Sequence, residues 1–341
     1  MTIFSKVKRH IEEGLPFVLY LIPNQKKIYG LFQKDNSIHD FIGQSGFVFA
    51  SFDDNKKYVI PSESSYSIEE EFSFDAVNQA EVLMNYSENE KKHFEDIVQK
   101  AIASIQNGNF EKVVLSRKIE MEKKVDLIET FLRIVNRYPT AFRYLFFHPQ
   151  IGCWMGATPE QLIKVENNHF ETVSLAGTHQ KNSFENWSAK EIHEQQIVTD
   201  YILDNLHKEV LSLKVSEPFT VEAGSLVHLK TIITGDVHSI ENTKNIIQNL
   251  HPTPAVCGFP KEKAVQFIAE NEDYDRKFYA GYLGLWNPDE ASCNLFVNLR
   301  CLEVEENKIN IYVGCGITGE SNPEKEFLET EHKSQIMKSI L

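Results

Sequence analysis

The sequence predicts an α+β protein built on antiparallel sheets. Strand-like segments occur in runs, and helical segments are interspersed among them without strict βαβ alternation, which disfavours a parallel sheet. No internal repeat and no Gly-, Pro- or Ser-rich linker divides the 341 residues. We therefore expect one large domain over residues 1–341.

The predicted elements follow from local patterns. Within residues 88–107 apolar side chains recur at helical spacing, and Gly108 follows as a stop signal. Further helices are predicted over residues 125–138, 188–211, 242–250 and 261–271, and a last helix begins at Ser321 or Asn322 with Pro323 in its first turn. Strands are predicted over residues 17–22, 47–52, 112–119, 142–147, 152–155, 172–175, 219–221, 225–235, 282–286, 295–304 and 309–313.

The bulk composition excludes several classes of protein. The chain is 42% hydrophobic and 25% charged, which is ordinary for a globular protein, and its net charge of −14 argues against general nucleic-acid binding. Five cysteines, none in a CxxC pair, are typical of reduced thiols. No apolar run approaches the roughly 18 residues of a membrane span, and the first residues lack the apolar core of a signal peptide. We expect a cytoplasmic protein without membrane contact.

Two pairs of carboxylates provide the strongest chemical signal. Glu191 and Glu194 are three residues apart on a predicted helix, so they share a face, and Glu326 and Glu329 repeat this pattern with Lys333 one turn later. If both helices directed these carboxylates inward, four oxygen-bearing side chains would suit a hard divalent cation. The alternative is that they are solvated glutamates at helix ends, which an acidic chain contains by chance.

Three other candidates have ordinary alternatives. Lys112 alternates with apolar residues in a strand, as an exposed edge lysine or a buried base would. The Gly314-Cys315-Gly316 run ends a strand, where its backbone N–H groups could hold a carboxylate or the glycines could form a bulge. His228 fits a satisfied core histidine as well as a catalytic one.

Ten segments match one enzyme family in order. They are KVVLSR (112–117), GATPE (156–160), LAGT (175–178), KEIHE (190–194), HL (228–229), HPTPAVCG (251–258), YDRKFYAG (274–281), Arg300, GCG (314–316) and EFLE (326–329) with Lys333. Over residues 90–341 the chain resembles the chorismate-utilising enzymes, which include isochorismate, salicylate, anthranilate and aminodeoxychorismate synthases. The resemblance implies a large antiparallel β-sandwich flanked by helices, with residues 90–341 as the catalytic region and residues 1–75 as a divergent N-terminal part of the sheet.

The resemblance also implies a metal and a substrate. Chorismate would be the substrate and Mg²⁺ the cofactor. Glu194 and Glu329 would bind the metal, and Glu191 and Glu326 would assist directly or through water. The substrate's anionic groups and ring would then be held by a second set of residues, namely Gly177, Thr178, His228, Tyr279, Arg300, Gly314, Gly316 and Lys333.

The implied reaction needs one base and one acid. Water attacks ring carbon C2 while the C4 hydroxyl departs, which converts chorismate reversibly to isochorismate. By resemblance, Lys112 is the base and Glu160 is the acid. The lysine must lose its proton and the glutamate must keep one near neutral pH, so both side chains should be buried.

One residue assigns the reaction within the family. Isochorismate synthases resemble this chain in having alanine at the position of Ala255, where relatives that aminate chorismate or release pyruvate commonly have threonine. A small apolar side chain there is expected to leave the attacking water in place. Lys277 and Gln180 depart from the family pattern, and both departures are expected to alter contacts behind the site.

The resemblance leaves other functions open. A salicylate synthase would release pyruvate, and an aminating synthase subunit would need ammonia, usually from an amidotransferase partner. A non-catalytic chorismate-binding relative is a further alternative, although the joint presence of the acid, base and metal residues argues against it. We expect a monomer with no obligate protein partner. Whether the product would serve menaquinone or siderophore biosynthesis depends on neighbouring enzymes.

Overall fold

Two antiparallel sheets form the centre of the molecule, as the sequence predicts. The computed structural model describes residues 2–74, 85–181, 186–223 and 226–341. The first sheet has the strand order β14-β6-β18-β17-β8-β7-β1-β2-β5. Its strands are β1 (Phe17–Leu21), β2 (Lys27–Gln33), β5 (Ser65–Glu71), β6 (Lys112–Glu122), β7 (Phe142–His148), β8 (Gly152–Thr158), β14 (Gly258–Phe259), β17 (Cys301–Val304) and β18 (Lys308–Ile317).

The second sheet faces the first. Its strand order is β11-β13-β10-β9-β16-β15-β3-β4, and β12 also pairs with β13. Its strands are β3 (Gly46–Ala50), β4 (Lys57–Pro61), β9 (Gln161–Glu166), β10 (His169–Gln180), β11 (Val210–Val215), β12 (Phe219–Ala223), β13 (Leu226–Val237), β15 (Tyr282–Asn287) and β16 (Ser292–Val297). The predicted α+β sandwich with helices around it is therefore confirmed.

Aromatic side chains join the facing sheets. Phe49 of β3 stacks on Phe146 of β7 with ring centroids 4.3 Å apart, and Phe142 of β7 stacks on Phe296 of β16 at the same distance. Each of these side chains is fully or almost fully buried. Large rings that pack between two sheets remove much apolar surface from water, and this burial is the main stabilising term of such a sandwich.

Helices cover the sheets on more than one side. They are α1 (Ile3–Glu13), α2 (Glu88–Gln106), α3 (Leu127–Arg137), α4 (Ala189–Leu206), α5 (Ile240–Leu250), α6 (Lys261–Asn271) and α7 (Pro323–Lys338). Side chains of α1, α3 and α7 pack with those of β1 and β8 in one apolar cluster, whereas α2, α4, α5 and α6 join the cluster between the sheets. In the part of the chain that is described, no helix has the length and apolarity to cross a membrane.

Helix starts agree with the cap residues in the sequence. Ser87 caps α2 and Ser188 caps α4, each in a reciprocal arrangement with a glutamate three residues later. Asn322 caps α7, and Pro323 occupies its first turn as predicted. The caps satisfy backbone N–H groups that no helical carbonyl can reach.

Two predicted elements each run on into a different element of the structure. The helix predicted over residues 188–211 ends at Leu206, and residues from Val210 onward form β11 against β13. β-branched Val210 and Val215 suit a strand better than a helix end. The strand predicted over residues 295–304 is two strands in different sheets, separated by a crossover at residues 298–300. No Gly or Pro marks this crossover, so local pattern reading could not locate it.

Several elements were not predicted from the sequence. They include α1 and the strands β2, β4, β5 and β9. The strands from residues 1–75 join both sheets: β1, β2 and β5 belong to the first, and β3 and β4 belong to the second. Residues 1–75 therefore contribute strands to both sheets of the sandwich.

Candidate active site

One cavity collects nearly all of the predicted site residues. Its volume is about 500 Å³. Strands of the first sheet, strands β10 and β13 of the second sheet, helices α4 and α7, and the segments around Ala255 and Arg300 form its wall. The predicted residues that line it are Lys112, Glu160, Gly177, Glu191, Glu194, His228, Ala255, Tyr279, Arg300, Gly314, Gly316, Glu329 and Lys333.

Two predicted site residues, Thr178 and Glu326, are not among these lining residues. The side chain of Thr178 lies outside the described residues. So does the side chain of Gln180, one of the two departures from the family pattern. Glu326 is buried on α7 but does not line the cavity. Its predicted role as a metal ligand is therefore the least supported of the four carboxylates.

Lys112 is buried, which rules out the exposed edge lysine. It begins β6, a strand that pairs on both sides with β14 and β18. Only 2% of the residue is exposed, and its Nζ lies 4.0 Å from Oε2 of Glu194. The amine therefore lies inside the cavity, shielded from bulk water and beside a carboxylate.

Gly316 makes room for this lysine. A Cβ added at Gly316 would lie 3.1 Å from Cε of Lys112, closer than side chains normally approach. The ladder between β18 and β6 continues through Gly314 and Gly316 without a shift of register. The glycines therefore do not form a bulge. The absent side chain of Gly316 leaves space beside Lys112, and that of Gly314 leaves space beside the hydroxyl of Tyr279.

Glu160 lies where a carboxyl group keeps its proton. It follows β8, and its backbone carbonyl accepts a hydrogen bond from Val297. Burial raises the pKa of Glu160 to about 7, although the positive charges of Lys112, Lys333 and Arg300 partly oppose the shift. A carboxylic acid that is half protonated near neutral pH can donate a proton to a leaving group.

Arg300 and Lys333 provide positive charge in the same cavity. Burial lowers the pKa of Arg300 only to about 10, so its guanidinium remains charged at neutral pH. Burial would lower the pKa of Lys333 as well, but Glu329 beside it raises the pKa overall. The Nζ of Lys333 is 2.7 Å from Oε1 of Glu329 and donates to the carbonyl of Gly314 at 3.0 Å. An anionic ligand would meet two cations here.

His228 supports Arg300 as a neutral side chain. Its Nδ1 lies 3.0 Å from the carbonyl oxygen of Gly177, which can only accept, so Nδ1 carries the hydrogen. Its Nε2 then accepts from Nη2 of Arg300 at 3.3 Å. Burial, followed by the charge of Arg300, lowers the pKa of His228 to about 4. The histidine therefore orients the guanidinium without carrying charge.

Arg300 has an unusual backbone conformation. Its φ is +47°, in the left-handed region that a non-glycine residue seldom occupies. It lies at the crossover between β16 and β17, two residues after Asn298, whose side chain donates to the carbonyl of Phe278 and accepts from the hydroxyl of Tyr144. Strain of this kind persists where the surroundings enforce it, and it often marks a functional position.

The carboxylates of α4 and α7 meet the cavity from two sides. Glu191 accepts from the backbone N–H and the hydroxyl of the cap residue Ser188 at 2.9 and 2.8 Å, and Glu329 is paired with Lys333. Glu194 is buried near Lys112. In the described parts of the chain, no three His, Cys, Asp or Glu side chains are grouped closely enough to hold a metal ion. Glu191, Glu194 and Glu329 nevertheless line the same cavity, and their role as metal ligands stays a prediction.

Tyr312 is a cavity residue that the sequence analysis missed. It stacks on Tyr279 with centroids 5.5 Å apart, and its hydroxyl donates to Glu303 at 3.0 Å. The signal was present, because Tyr312 alternates with Gly314 and therefore shares its face of β18. Lys277, which departs from the family pattern, pairs with Glu303 at 2.7 Å and compensates this buried carboxylate behind the cavity wall.

Comparison with known proteins decides the family. A model of chorismate-binding enzymes matches residues 50–341. The chain belongs to this family. Among chorismate-binding enzymes, it is 29% identical over 337 residues to the isochorismate synthase EntC of Escherichia coli, with 93% of this chain and 86% of EntC covered.

Solved structures show that the fold is shared more widely. MenF, the menaquinone-specific isochorismate synthase of Escherichia coli, matches with a TM-score of 0.78 and 18% identity over 96% of this chain and 88% of MenF. Anthranilate synthase component I of Streptococcus pneumoniae matches with a TM-score of 0.70 and 17% identity over 94% and 92% of the two chains. The same fold therefore occurs in an isochorismate synthase and in an anthranilate synthase component, and it does not by itself select one activity.

Proposed function

We propose that this protein is an isochorismate synthase, an isomerase that converts chorismate to isochorismate by adding water at C2 and removing the C4 hydroxyl. The observation that carries the proposal is that one cavity contains a buried lysine, a glutamic acid of raised pKa and two further cationic side chains. The similarity to EntC over 93% of the chain supports the same reaction.

Each polar group has a task in this reaction. Lys112, as the free amine, takes a proton from the attacking water. Glu160 gives its proton to the departing hydroxyl, and its pKa of about 7 suits that step. Arg300 and Lys333 hold the carboxylates of the substrate, so the negative charge of the protein as a whole does not prevent binding of a dianion.

Mg²⁺ is the proposed cofactor. Three of the four glutamates that line the cavity, Glu191, Glu194 and Glu329, have the oxygen donors that a hard divalent cation prefers. Glu329 would have to exchange part of its contact with Lys333 for the metal. When bound, the ion would supply positive charge against a substrate carboxylate.

The first experiment combines the purified protein with chorismate and Mg²⁺, with and without EDTA and ammonium, and separates the products by chromatography. Isochorismate that forms only with the metal and without pyruvate supports the proposal. Salicylate, anthranilate or aminodeoxychorismate as the main product would retain the family and reject the reaction. No product under any condition would support a non-catalytic relative.

Replacement of Glu329 by glutamine is expected to raise the Mg²⁺ concentration for half-maximal activity by about tenfold or more, because the amide keeps the shape of the side chain but loses its charge. Titration of activity with Mg²⁺ measures this change. Glu324→Gln is the matched control, since Glu324 is on the same helix in an exposed pair with Lys91. An unchanged metal response in Glu329→Gln rejects the residue as a ligand.

Replacement of Ala255 by threonine is expected to divert part of the turnover to pyruvate release or, with ammonium present, to amination. The larger polar side chain would intrude on the space that the attacking water needs beside Val256. Product ratios by chromatography measure the effect. Ala255→Ser adds the hydroxyl without the methyl group and separates polarity from bulk. If both variants give only isochorismate, position 255 does not control the outcome.

A further inference from the structure

One buried arginine joins two walls of the cavity without lining it. Arg276, in the segment between α6 and β15, is 3% exposed. Its Nη2 donates to the carbonyl of Val114 at 2.7 Å, and its Nη1 donates to the carbonyl of Val256 at 3.0 Å. Val114 is two residues beyond Lys112 on β6, and Val256 directly follows Ala255.

An acidic partner holds the guanidinium in one orientation. Glu272 accepts from Nε and Nη2 of Arg276 at 2.8 and 2.6 Å, which is a two-bond pairing of planar groups. The same carboxylate accepts from the backbone N–H of Ser116 at 2.7 Å. The ring of Phe52 lies 4.4 Å from the guanidinium carbon. A buried charge of this kind is tolerated because its hydrogen-bonding groups are satisfied.

The backbone of Arg276 reaches a third part of the wall. Its carbonyl accepts from the N–H of Tyr279 at 2.8 Å. Tyr279 in turn stacks on Tyr312, and both rings line the cavity. One residue therefore contacts the strand of the proposed base, the segment of Ala255 and the aromatic wall.

The direct pairing between these segments is short. Strand β14 pairs with β6 through only two residue pairs, one of which joins Phe259 to Lys112. The N–H of Val114 adds one bond to the carbonyl of Cys257 at 2.9 Å. Arg276 adds a bridge between the two segments, because it donates to the carbonyl of Val114 on β6 and to the carbonyl of Val256. This bridge sets how far the neighbouring Ala255 lies from the strand of Lys112.

We propose that Arg276 is a positioning residue that fixes the distance between the Ala255 segment and the Lys112 strand, and thereby keeps the reaction on isochorismate. This inference rests on the proposed function. If the Ala255 segment moves relative to the Lys112 strand, the attacking water and the enolpyruvyl group are held less firmly. The reaction then slows, because reacting groups must be closely aligned.

The expected by-product follows from simple chemistry. In isochorismate, the hydrogen on C2 can pass to the methylene of the enolpyruvyl group while the bond from C3 to oxygen breaks. Pyruvate leaves, and the ring becomes the aromatic ring of salicylate. The atoms balance without an oxidant, so a poorly held product can react further in this way.

Arg276→Lys is the informative substitution. Lysine keeps the charge near Glu272, but its single ammonium group cannot bond to both carbonyls and both carboxylate oxygens at once. We expect kcat to fall by about 10–100-fold and pyruvate to appear, with a smaller change in KM. Hydrogen exchange followed by mass spectrometry should show faster exchange in residues 253–259.

Arg143→Lys is the matched control. Arg143 is equally buried and donates to three carbonyls, those of Ala141, Val135 and Ile22, at 3.0, 3.3 and 2.9 Å. It does not line the cavity, so its substitution should lower the thermal midpoint without changing the product ratio. The two variants together separate a loss of stability from a loss of positioning.

The outcomes can be told apart. If Arg276→Lys makes isochorismate alone at the parent rate, or loses rate and fidelity only as much as Arg143→Lys does, the positioning role is rejected. If the parent protein makes another product from chorismate, the proposed function fails. The exchange in residues 253–259 and the product ratio of that other reaction then still test Arg276.

Discussion

Replacement of Lys112 by alanine is expected to lower kcat by about 10²–10⁴-fold while largely sparing chorismate binding, because the variant loses the proposed base and keeps both cations that hold the substrate. The amine is buried in the cavity, and its Nζ lies 4.0 Å from Oε2 of Glu194. Steady-state rates and calorimetric titration with chorismate measure the two quantities separately.

Two further variants make the result for Lys112 interpretable. Lys112→Met preserves most of the stem that packs beside Gly316, so a similar loss in this variant assigns the effect to the amine. Lys118 is on the same strand and forms an ion pair with Glu120 at the surface, so Lys118→Ala should remain active. Normal turnover in Lys112→Ala would eliminate the lysine as the base.

Replacement of Glu160 by glutamine is expected to lower kcat by about 10²–10⁴-fold and to remove the alkaline limb of the pH profile. The proposed acid acts in its protonated form, and its pKa is about 7. In the parent protein, activity should therefore fall by about tenfold for each pH unit well above 7. Glutamine cannot donate an acidic proton, so the residual activity of the variant should lack this dependence on pH.

Glu160→Gln is expected to raise the stability of the protein above neutral pH, although it lowers the activity. Burial raises the pKa of Glu160 from 4.5 to about 7, so the folded protein binds the proton more tightly than the unfolded chain. The free energy of unfolding should therefore fall by about 3 kcal/mol as the pH rises through this range, and remain lower above it. Glu160→Gln should be more stable than the parent at pH 8.

Denaturant unfolding at several pH values tests this effect on stability. Glu166→Gln serves as the control, because Glu166 is an exposed residue paired with Lys164 on β9. If the parent and Glu160→Gln show the same dependence of stability on pH, the carboxyl is not the group that titrates near 7. If Glu160→Gln is more stable but inactive, the buried carboxyl lowers the stability of the protein and is needed for its activity.

Much of the fold could be predicted from local sequence pattern. The helical spacing of apolar residues located α2, and the cap residues Ser188 and Asn322 located the starts of α4 and α7. The end of α4 and the division of residues 295–304 between two sheets were not predictable in this way. Both depend on which distant strand is available for pairing, and local periodicity contains no information about that.

Much of the candidate site was also present in the sequence. The order of short segments identified the chorismate-binding family, and helical spacing placed Glu191 with Glu194 and Glu329 with Lys333. Spacing also grouped Glu326 with Glu329, but Glu326 does not line the cavity. Periodicity defines a helix face, whereas the neighbouring elements decide which part of that face borders a cavity.

By itself, then, the sequence determined the α+β class, the family and the residue types that carry the chemistry. Only the tertiary structure decided that Lys112 is buried, that Glu160 has a raised pKa and that Arg276 joins the segments on which Lys112 and Ala255 lie. The physical reason is that secondary structure depends on near neighbours in the chain. Burial, charge partners and hydrogen bonds to backbone carbonyls depend on residues that folding brings together from distant parts of the chain.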